Sequence, residues 1–231
     1  MSQVFSRQLF ECFYDRGGHV YTDIEYHRCS FESCAISITR VPAYRSIVRN
    51  VKVIGCEVRG CAIDTAVIED SVVDGLKTHN LLASWGAVFK HVVLKGRIGR
   101  IMIGPAVATG TATPQEQQAF DEANKTYYAS VDWALDISEA EFREASIRSV
   151  PAKLIRRDPA TQAIVTLEKA LEGKWRSIDL SKTWWATSIE FLLDRPNDPD
   201  VVLVAPKRHP RFIALLDGLK RLRDAGIAEP Q

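Results

Sequence analysis

The sequence predicts a mainly β protein with added helices, and its central part is expected to be a right-handed quadrilateral parallel β-helix from about Val51 to Ile103. Two observations predict this fold. A β-branched residue recurs at nearly every fifth position, and a small or apolar residue stands two positions before most of them. A helix repeats every 3.6 residues and a strand every 2, so a sustained period of five belongs to neither. The central series is Val48, Val53, Val58, Ile63, Ile68, Val73, Thr78, Ala83, Val88, Val93, Ile98 and Ile103.

A square coil explains this period. Each pentapeptide forms one side and turns one large and one small side chain inward, so that four sides make a coil of about 20 residues. Successive coils stack at the strand spacing of about 4.8 Å and hydrogen-bond to one another. We therefore expect seven central residues to be buried inside the coil: Val58, Ile63, Ile68, Val73, Val88, Val93 and Ile98.

The segment from Cys56 to Ile68, with Cys56, Cys61 and Ala66 in the small positions, resembles the pentapeptide-repeat proteins. Members of that family carry a central apolar residue and a small residue two places earlier. They favour Leu or Phe at the centre, whereas Val and Ile dominate here. The resemblance covers roughly half of the chain, and it implies a fold much more specifically than a function.

The repeat continues beyond this segment in both directions. Upstream the central series is Tyr21, Tyr26, Phe31, Ile36 and Val41, and the count slips by two around Pro42, which predicts a bulged corner or loop. Downstream it returns at Ile137, Phe142 and Ile147. Between them, Thr113 and Glu116 form a capping box with Pro114 at the first helical position. We expect a helix over about 114–129 within an excursion of about 106–131, with Phe120, Ala123 and Tyr127 on one face.

Residues 155–231 are predicted to form an α-rich module that caps the β-helix of residues 1–154. A helix is expected from Asp158 to Gly173, with Ile164, Leu167 and Leu171 buried. Residues 183–194 favour another helix, in which one of Trp184 and Trp185 packs in the core and the other is partly exposed. Val201 to Val204 read as a strand. Pro210 opens a last helix with four residues inward: Phe212, Leu216, Leu219 and Leu222.

Charge and hydropathy exclude several classes of protein. The net charge is +1, so no global field attracts nucleic acid, and nucleic acid is an improbable partner. Residues 1–105 hold 13 Lys and Arg against 10 Asp and Glu, a surplus of 13 − 10 = 3 positive charges that disfavours the DNA-imitating members of the family. The start of the chain has no secretory h-region and no apolar run is long enough to span a membrane. We expect a cytoplasmic protein.

No set of residues predicts catalysis, a cofactor or a metal. Cys29, Cys34, Cys56 and Cys61 are spaced by five, whereas zinc ligands favour spacings of two to four. All four also fall in the small inward position, where a thiol packs as a small apolar group, so we expect free thiols. The five histidines show no metal-ligand spacing, and the chain contains no GxSxG elbow.

These observations predict a non-catalytic scaffold that binds a partner protein, with an immunity or antagonist factor of bacteria as one such role implied by the family. The alternative is an enzyme with its site between the β-helix and the C-terminal module.

The residues just before the central series form four outward columns. The column of Glu57, Lys77 and Arg97 is the one that is charged throughout. An acidic partner is expected to contact Arg59, Lys77, His79 and Arg97 on this face. The apolar columns need a cover, either other segments of the chain or a second copy in a homodimer. They are Ile47, Val67 and Ala87; Lys52, Val72 and Val92; and Ala62, Leu82 and Met102.

Overall fold

The structure is a computed structural model that describes residues 2–107, 111–195 and 197–229. It is mainly β, with one curled, largely parallel sheet and four α-helices among these residues. The strands are β1 (Gln3–Ser6), β2 (Leu9–Glu11), β3 (Val20–His27), β4 (Ser30–Glu32), β5 (Ala35–Ile36), β6 (Ile47–Arg59), β7 (Ala62–Asp64), β8 (Val67–Glu69), β9 (Val72–Thr78), β10 (Leu82–Trp85), β11 (Val88–Lys90), β12 (Val92–Gly104), β13 (Leu135–Asp136), β14 (Ala140–Ile147), β15 (Ile155–Arg156), β16 (Gln162–Thr166) and β17 (Asp200–Val204). The helices are α1 (Pro114–Tyr128), α2 (Leu167–Leu171), α3 (Trp185–Leu193) and α4 (Phe212–Asp224).

Parallel pairing in the sheet joins strands that lie about one predicted coil apart in the sequence. Glu57 of β6 pairs with Lys77 of β9, 20 residues later. The pairings among β1 to β15 are all parallel, and the antiparallel pairings of the described strands are those of β17 with β14 and with β16. The parallel strands thus pair with strands that lie well apart from them in the sequence, and the sheet curls.

Left-handed backbone conformations stack at one corner of the sheet. Asp23, Asn50, Asp70 and His91 have φ angles of 57°, 53°, 50° and 55°. Asn, Asp and His are the non-glycine residues that adopt this conformation most readily. The Asn50 side-chain amide donates a hydrogen bond to the Asp23 carboxylate, so this corner is held by side chains as well as by the sheet.

The central series keeps its predicted register through Thr78, then slips by one residue, and its register shifts again between Lys95 and Ile98, where Ile98 pairs with Leu76. Thr78 pairs with Val58, but the residues that pair with Ile63, Ile68 and Val73 are Ser84, Phe89 and Leu94. One additional residue at the corner 79–81 accounts for this slip. Because side chains alternate between the faces of a strand, Val88 and Val93 move from the predicted inward column to the outward one.

Burial of the seven predicted core residues is therefore uneven. Ile98 is 1% exposed and Val88 is fully buried. Val58, Ile63, Ile68 and Val73 are only half-buried, although they pack against the main buried cluster. Val93 is half-buried and outside that cluster, so the expectation of complete burial is wrong for five of the seven.

One continuous column of buried side chains crosses the sheet and joins two small positions, Cys56 and Leu76, to two residues of the central series, Ile98 and Phe142. Cys56 pairs with Leu76, Leu76 with Ile98, and Ile98 with Phe142. Cys29 precedes Cys56 in this column, and its backbone N–H donates to the Cys56 sulfur over 3.3 Å. Thiols occupy the small position as predicted, because each can donate to a carbonyl of the preceding turn, as Cys56 does to Tyr26.

The two predicted interruptions of the repeat are confirmed. Residues Pro42–Tyr44 form a 3-10 turn where the count slips. Helix α1 begins at Pro114 with the Thr113 and Glu116 capping box formed in both directions. Phe120 is buried on its inner face, and Tyr128 is buried more deeply than the predicted Tyr127. The chain then rejoins the sheet at β13 and continues as β14, and both strands pair with β12. Residues 108–110, at the start of the predicted excursion, lie outside the described residues.

The C-terminal segment departs from prediction at its first helix. The expected helix from Asp158 to Gly173 is wrong, because residues Gln162–Thr166 form β16, which pairs along its whole length with β17. Helix α2 begins only at Leu167, after the Thr166 hydroxyl accepts from Lys169 N–H, and Leu171 is 68% exposed. The other three predicted elements are present: the helix at 183–194, the strand at 201–204 and the last helix. In the last helix, Leu215 is buried where Leu216 was expected. Residues 196, 230 and 231 of this segment are not among the described residues.

Two clusters of buried side chains follow this division of the chain. One lies in the curled sheet, and the other contains Trp185, Ile189, Leu203, Leu215 and Leu219. They meet where Ile147 of β14 pairs with Val202 of β17, and where the N–H of Arg208 donates to the carbonyl of Phe142 over 3.1 Å. The C-terminal segment thus packs against β14, the second strand after helix α1.

Candidate functional site

The four residues predicted to bind an acidic partner lie on the sheet surface, but three of them are paired with carboxylates. The Nζ atom of Lys77 donates to Glu57 over 2.8 Å, and Nε2 of His79 lies 3.1 Å from the same carboxylate. Arg59 lies 3.5 Å from Glu32 and 3.2 Å from Nδ1 of His79. The structure thus brings Arg59, Lys77 and His79 together in one network. Its charge is balanced by Glu57 and Glu32.

Glu57 is the centre of this network. Hydrogen bonds from Lys77, His79 and Ser30 lower the pKa of Glu57 to about 2. The carboxylate therefore stays charged at neutral pH and neutralises the basic groups around it. Arg97 is the exception, since its exposed side chain makes no hydrogen bond or ion pair with the described residues. Of the four predicted residues, Arg97 has the guanidinium most available to an anion.

The register slip also changes which residues form the predicted apolar columns. Ala87 and Val92 point into the buried cluster, and Val88 and Val93 replace them opposite Val67 and Val72. Helix α1 covers the first column, where the Tyr128 hydroxyl accepts from the N–H of Phe89 over 3.3 Å. One of the expected covers is thus a segment of the chain itself.

Exposed apolar side chains gather at one corner near the first strands, which the sequence patterns did not single out. We name this group the corner patch: its members are between 39% and 63% exposed, and they are Phe13, Tyr14, Val20, Ile38, Val41 and Tyr44. Two segments of the chain supply them, and these segments contact each other through a 2.8 Å hydrogen bond from the N–H of Ile38 to the carbonyl of Asp15. Large exposed apolar groups of this kind mark interaction surfaces more often than single exposed residues do.

A buried carboxylate lies directly beneath the corner patch. Asp15 is 2% exposed, and its Oδ1 lies 2.7 Å from Nδ1 of the exposed His19. Burial raises the pKa of Asp15, but hydrogen bonds from Ser46, Gly17, His19 and Ser37 outweigh it and leave the pKa below its ordinary value.

The Asp15 and His19 pair has the geometry of a base and its orienting acid, but it lacks a nucleophile. No hydroxyl or thiol of the described residues is hydrogen-bonded to the His19 ring. Asp15 instead accepts from the backbone N–H groups of Gly17 and Ser37 over 2.8 and 3.0 Å. Its contacts therefore hold the segment that carries Phe13 and Tyr14 on the segment that carries Ile38.

A cleft lies at the junction between β14 and the C-terminal segment, where the enzyme alternative predicts an active site. Its volume is about 190 Å³, and apolar side chains form most of its wall, including Met102, Trp184 and Phe191. Among the described residues that line it, Glu144 and Arg148 are the charged ones, and Glu144 lies 3.5 Å from Arg100. The cleft thus has no convergent set of acids and bases, which is the feature the enzyme alternative requires.

The cysteines are free thiols, as predicted for Cys29, Cys34, Cys56 and Cys61. Burial raises the pKa of Cys56 and of Cys61. Cys12 is exposed and does not occupy a small inward position of the repeat. Within the described ranges, no three His, Cys, Asp or Glu side chains are grouped closely enough to hold a metal ion.

No protein-family model matches the chain, and neither the curated proteins nor the solved structures contain a match to it. Among the helices of the described residues, none is both long and apolar enough to cross a membrane.

Proposed function

We propose that this chain is a non-catalytic scaffold that binds a partner protein, and that its curled sheet is a right-handed β-helix of the pentapeptide-repeat type. The parallel register of 20 residues and the thiols in the small inward position support the β-helix. The observation that carries the binding function is the corner patch. Its two tyrosines and one phenylalanine are the kind of side chain that contributes most to protein interfaces.

The rigidity of the patch supports this function. The 3-10 turn at Pro42–Tyr44 and the buried Asp15 fix the two segments that present the aromatic rings. A surface that is already ordered loses little conformational entropy when it binds. Such a patch is suited to a partner that docks on it without reshaping it.

The partner we propose has an apolar centre and an acidic rim. Arg16 is exposed within the segment that carries the patch, and its side chain makes no hydrogen bond or ion pair with the described residues. Arg97 offers a second unpaired guanidinium elsewhere on the sheet surface, and Arg59, Lys77 and His79 complete the basic residues of the proposed contact. Such charges act mainly on the rate of association and on specificity.

The cellular role we propose is that of an immunity or antagonist factor, which the resemblance to pentapeptide-repeat proteins implies. A rigid rod suits the task of occupying a partner's surface. Reduced cysteines support a compartment that keeps thiols reduced, and we propose the cytoplasm.

A capture experiment with matched variants tests the proposal. The wild-type chain, a Phe13→Ser/Tyr44→Ser variant and a Leu171→Ser/Ile213→Ser variant are used to capture proteins from cells that produce the chain. The captured partner is then purified, and its Kd is measured with each variant. We expect the patch variant to bind about tenfold more weakly or worse, because two aromatic anchors are lost. The control variant removes two apolar side chains elsewhere that are more exposed than Phe13 and Tyr44, and it should bind as the wild type does.

Two outcomes would count against the proposal. Equal Kd values for the wild type and the patch variant would remove the corner patch from the interface. Sedimentation could instead show a wild-type dimer that the patch variant dissociates. The patch would then join two copies of this chain, and the acidic partner would be wrong.

A further inference from the structure

Arg148 places a guanidinium in the wall of the junction cleft, where apolar groups surround it. Its carbon Cζ lies 4.8 Å from the centre of the Phe191 ring, and Nη2 lies 3.9 Å from the Met102 sulfur. A Cβ atom added at Gly104 would lie 3.6 Å from Nη2, so the guanidinium also covers this glycine. The charged end of Arg148 therefore lies against the Phe191 ring, the Met102 thioether and the backbone at Gly104.

No carboxylate of the described residues forms an ion pair with Arg148. Asp198 acts on Arg148 through its charge, but its Oδ2 accepts from the Ser149 hydroxyl over 2.8 Å and lies 4.0 Å from Arg195. Glu144, the acid among the described residues that line the cleft, lies 3.5 Å from Arg100. The Nε atom of Arg148 is buried and has no hydrogen-bond acceptor.

Such an arrangement is unfavourable unless an anion completes it. A cation that is removed from water without a hydrogen-bonded counter-charge costs free energy, and burial lowers the pKa of Arg148 accordingly. The planar guanidinium is also the protein group best matched to a carboxylate, which it binds through two parallel hydrogen bonds.

We infer that the junction cleft binds a carboxylate that carries a small apolar group, with Arg148 as the anion-binding residue. The cleft volume of about 190 Å³ corresponds to about six water volumes at roughly 30 Å³ each, which sets the size of the ligand. Trp184, Phe191 and Ile101 would contact its apolar part. This inference concerns a different surface from the corner patch and does not depend on it.

Two sources can supply this chemistry: a free small carboxylic acid or the C-terminal residue of a peptide. The probes for the first are pentanoate and its uncharged analogue pentanamide. The probes for the second are the tripeptide acetyl-Gly-Gly-Val with a free carboxylate and the same tripeptide with a C-terminal amide. Each pair differs in charge and keeps nearly the same shape, so the difference in affinity within a pair reports the contribution of the anion.

The indole N–H of Trp184 is the reporter, because this ring lines the cleft. Each probe is titrated into the full chain, and the indole signals are followed by ¹H–¹⁵N NMR. We expect saturable shifts with an acid and at least about tenfold weaker binding of the matching amide. Tighter binding of the tripeptide acid than of pentanoate would assign the source to a peptide C-terminus. Binding of pentanoate alone would assign it to a small acid.

The variants are Arg148→Met and, as a matched control, Arg143→Met. Arg143 lies in β14, the strand that Arg148 directly follows, and it is exposed and does not line the cleft. We expect Arg148→Met to lose the preference for acids and to unfold at a temperature no lower than the wild type, since a half-buried cation without an ion pair is replaced by an apolar chain. Arg143→Met should keep the preference.

Equal binding of acid and amide by the wild type would overturn the inference, as would unsaturable shifts or an unchanged preference in Arg148→Met. The acid and amide comparison uses the wild type alone, so the inference stays open to contradiction even if Arg148→Met fails to fold. The patch variant Phe13→Ser/Tyr44→Ser should bind pentanoate normally, which separates this result from the fate of the proposed scaffold function.

Discussion

The Nε2 atom of His91 lies 2.6 Å from Oδ1 of Asp132, and this contact ties a corner of the curled sheet to the segment that follows helix α1. The other ring nitrogen lies 3.0 Å from Asp70, and the imidazole packs on Trp133 with ring centres 4.7 Å apart. His91 thus contacts two carboxylates at the point where the chain returns to the sheet.

The free energy of unfolding should depend on pH through this contact. Hydrogen bonds that the His91 ring donates to Asp132 and Asp70 raise the pKa of His91 above its ordinary value of 6.5, and the hydrogen bond from His91 lowers the pKa of Asp132 below 3.8. A raised histidine pKa stabilises the fold fully below pH 6.5, and this stabilisation is lost as pH rises through the raised value. The lowered carboxylate pKa adds stability above pH 3.8 that is lost in acid.

His91→Asn tests this dependence, because Asn tolerates the left-handed backbone at this position. Urea unfolding of both proteins should show a larger difference in stability near pH 5.5 than near pH 9. Salt should reduce the difference, because both groups are exposed. A difference that is the same at both pH values would contradict the prediction.

Truncation of the buried column should destabilise the fold strongly. Ile98 is 1% exposed between Leu76 and Phe142, so Ile98→Ala leaves a cavity and should lower the free energy of unfolding by about 2–5 kcal/mol. Ile213→Ala is the control, because this side chain is 74% exposed and its loss should change stability by less than about 0.5 kcal/mol. Equal losses in chemical denaturation would show that Ile98 is not a core residue.

The thiols should differ sharply in reactivity. Cys12 is exposed, whereas Cys29, Cys34 and Cys56 are buried, and burial raises the pKa of the Cys56 thiol. A thiol reagent should therefore label Cys12 rapidly in the native protein and the buried three only after unfolding. Cys12→Ser should abolish the rapid phase. Rapid labelling of Cys29 or Cys56 in the folded protein would show that these thiols do not point inward at the small position of the repeat.

Charge reversal on the sheet surface should separate the paired basic residues from the unpaired one. Lys77→Glu places a carboxylate beside Glu57 and should destabilise the network slightly, whereas Arg97→Glu should leave stability unchanged. If the captured partner contacts this face, Arg97→Glu should slow its association at low salt more than Arg143→Met does. Unchanged association kinetics for Arg97→Glu and for the double variant with Lys77→Glu would exclude the face from the interface.

Much of the sheet could be predicted because its repeat is local. The five-residue period places Cys29, Cys56 and Ile98 inside, and the return of the period at Phe142 predicts that the chain rejoins the sheet after a helix. The start of that helix was predictable because a capping box involves only Thr113 and Glu116 and their own backbone. Each of these features depends on residues that are neighbours in the sequence or one repeat apart.

The candidate sites could not be predicted in the same way. The corner patch forms because the Asp15 carboxylate accepts a hydrogen bond from the backbone N–H of Ser37, 22 residues later. No local sequence pattern predicts that contact. The expected helix after Asp158 failed because β17, far along the chain, offers a partner that converts Gln162–Thr166 into a strand. Pairing with a distant segment overrides local propensity when it satisfies more backbone hydrogen bonds.

The amino-acid sequence by itself determined the period, the inward thiols and the helix cap, because these depend on alternation and on local hydrogen bonds. Only the tertiary structure decided the register after Thr78, since the shift at the corner is defined by the pairing of Ser84 with Ile63 and the later shift by the pairing of Ile98 with Leu76. It also decided that Lys77 is neutralised by Glu57 while Arg97 and Arg148 lack a carboxylate, because the electrostatic surroundings of a side chain are set by whichever segments pack around it.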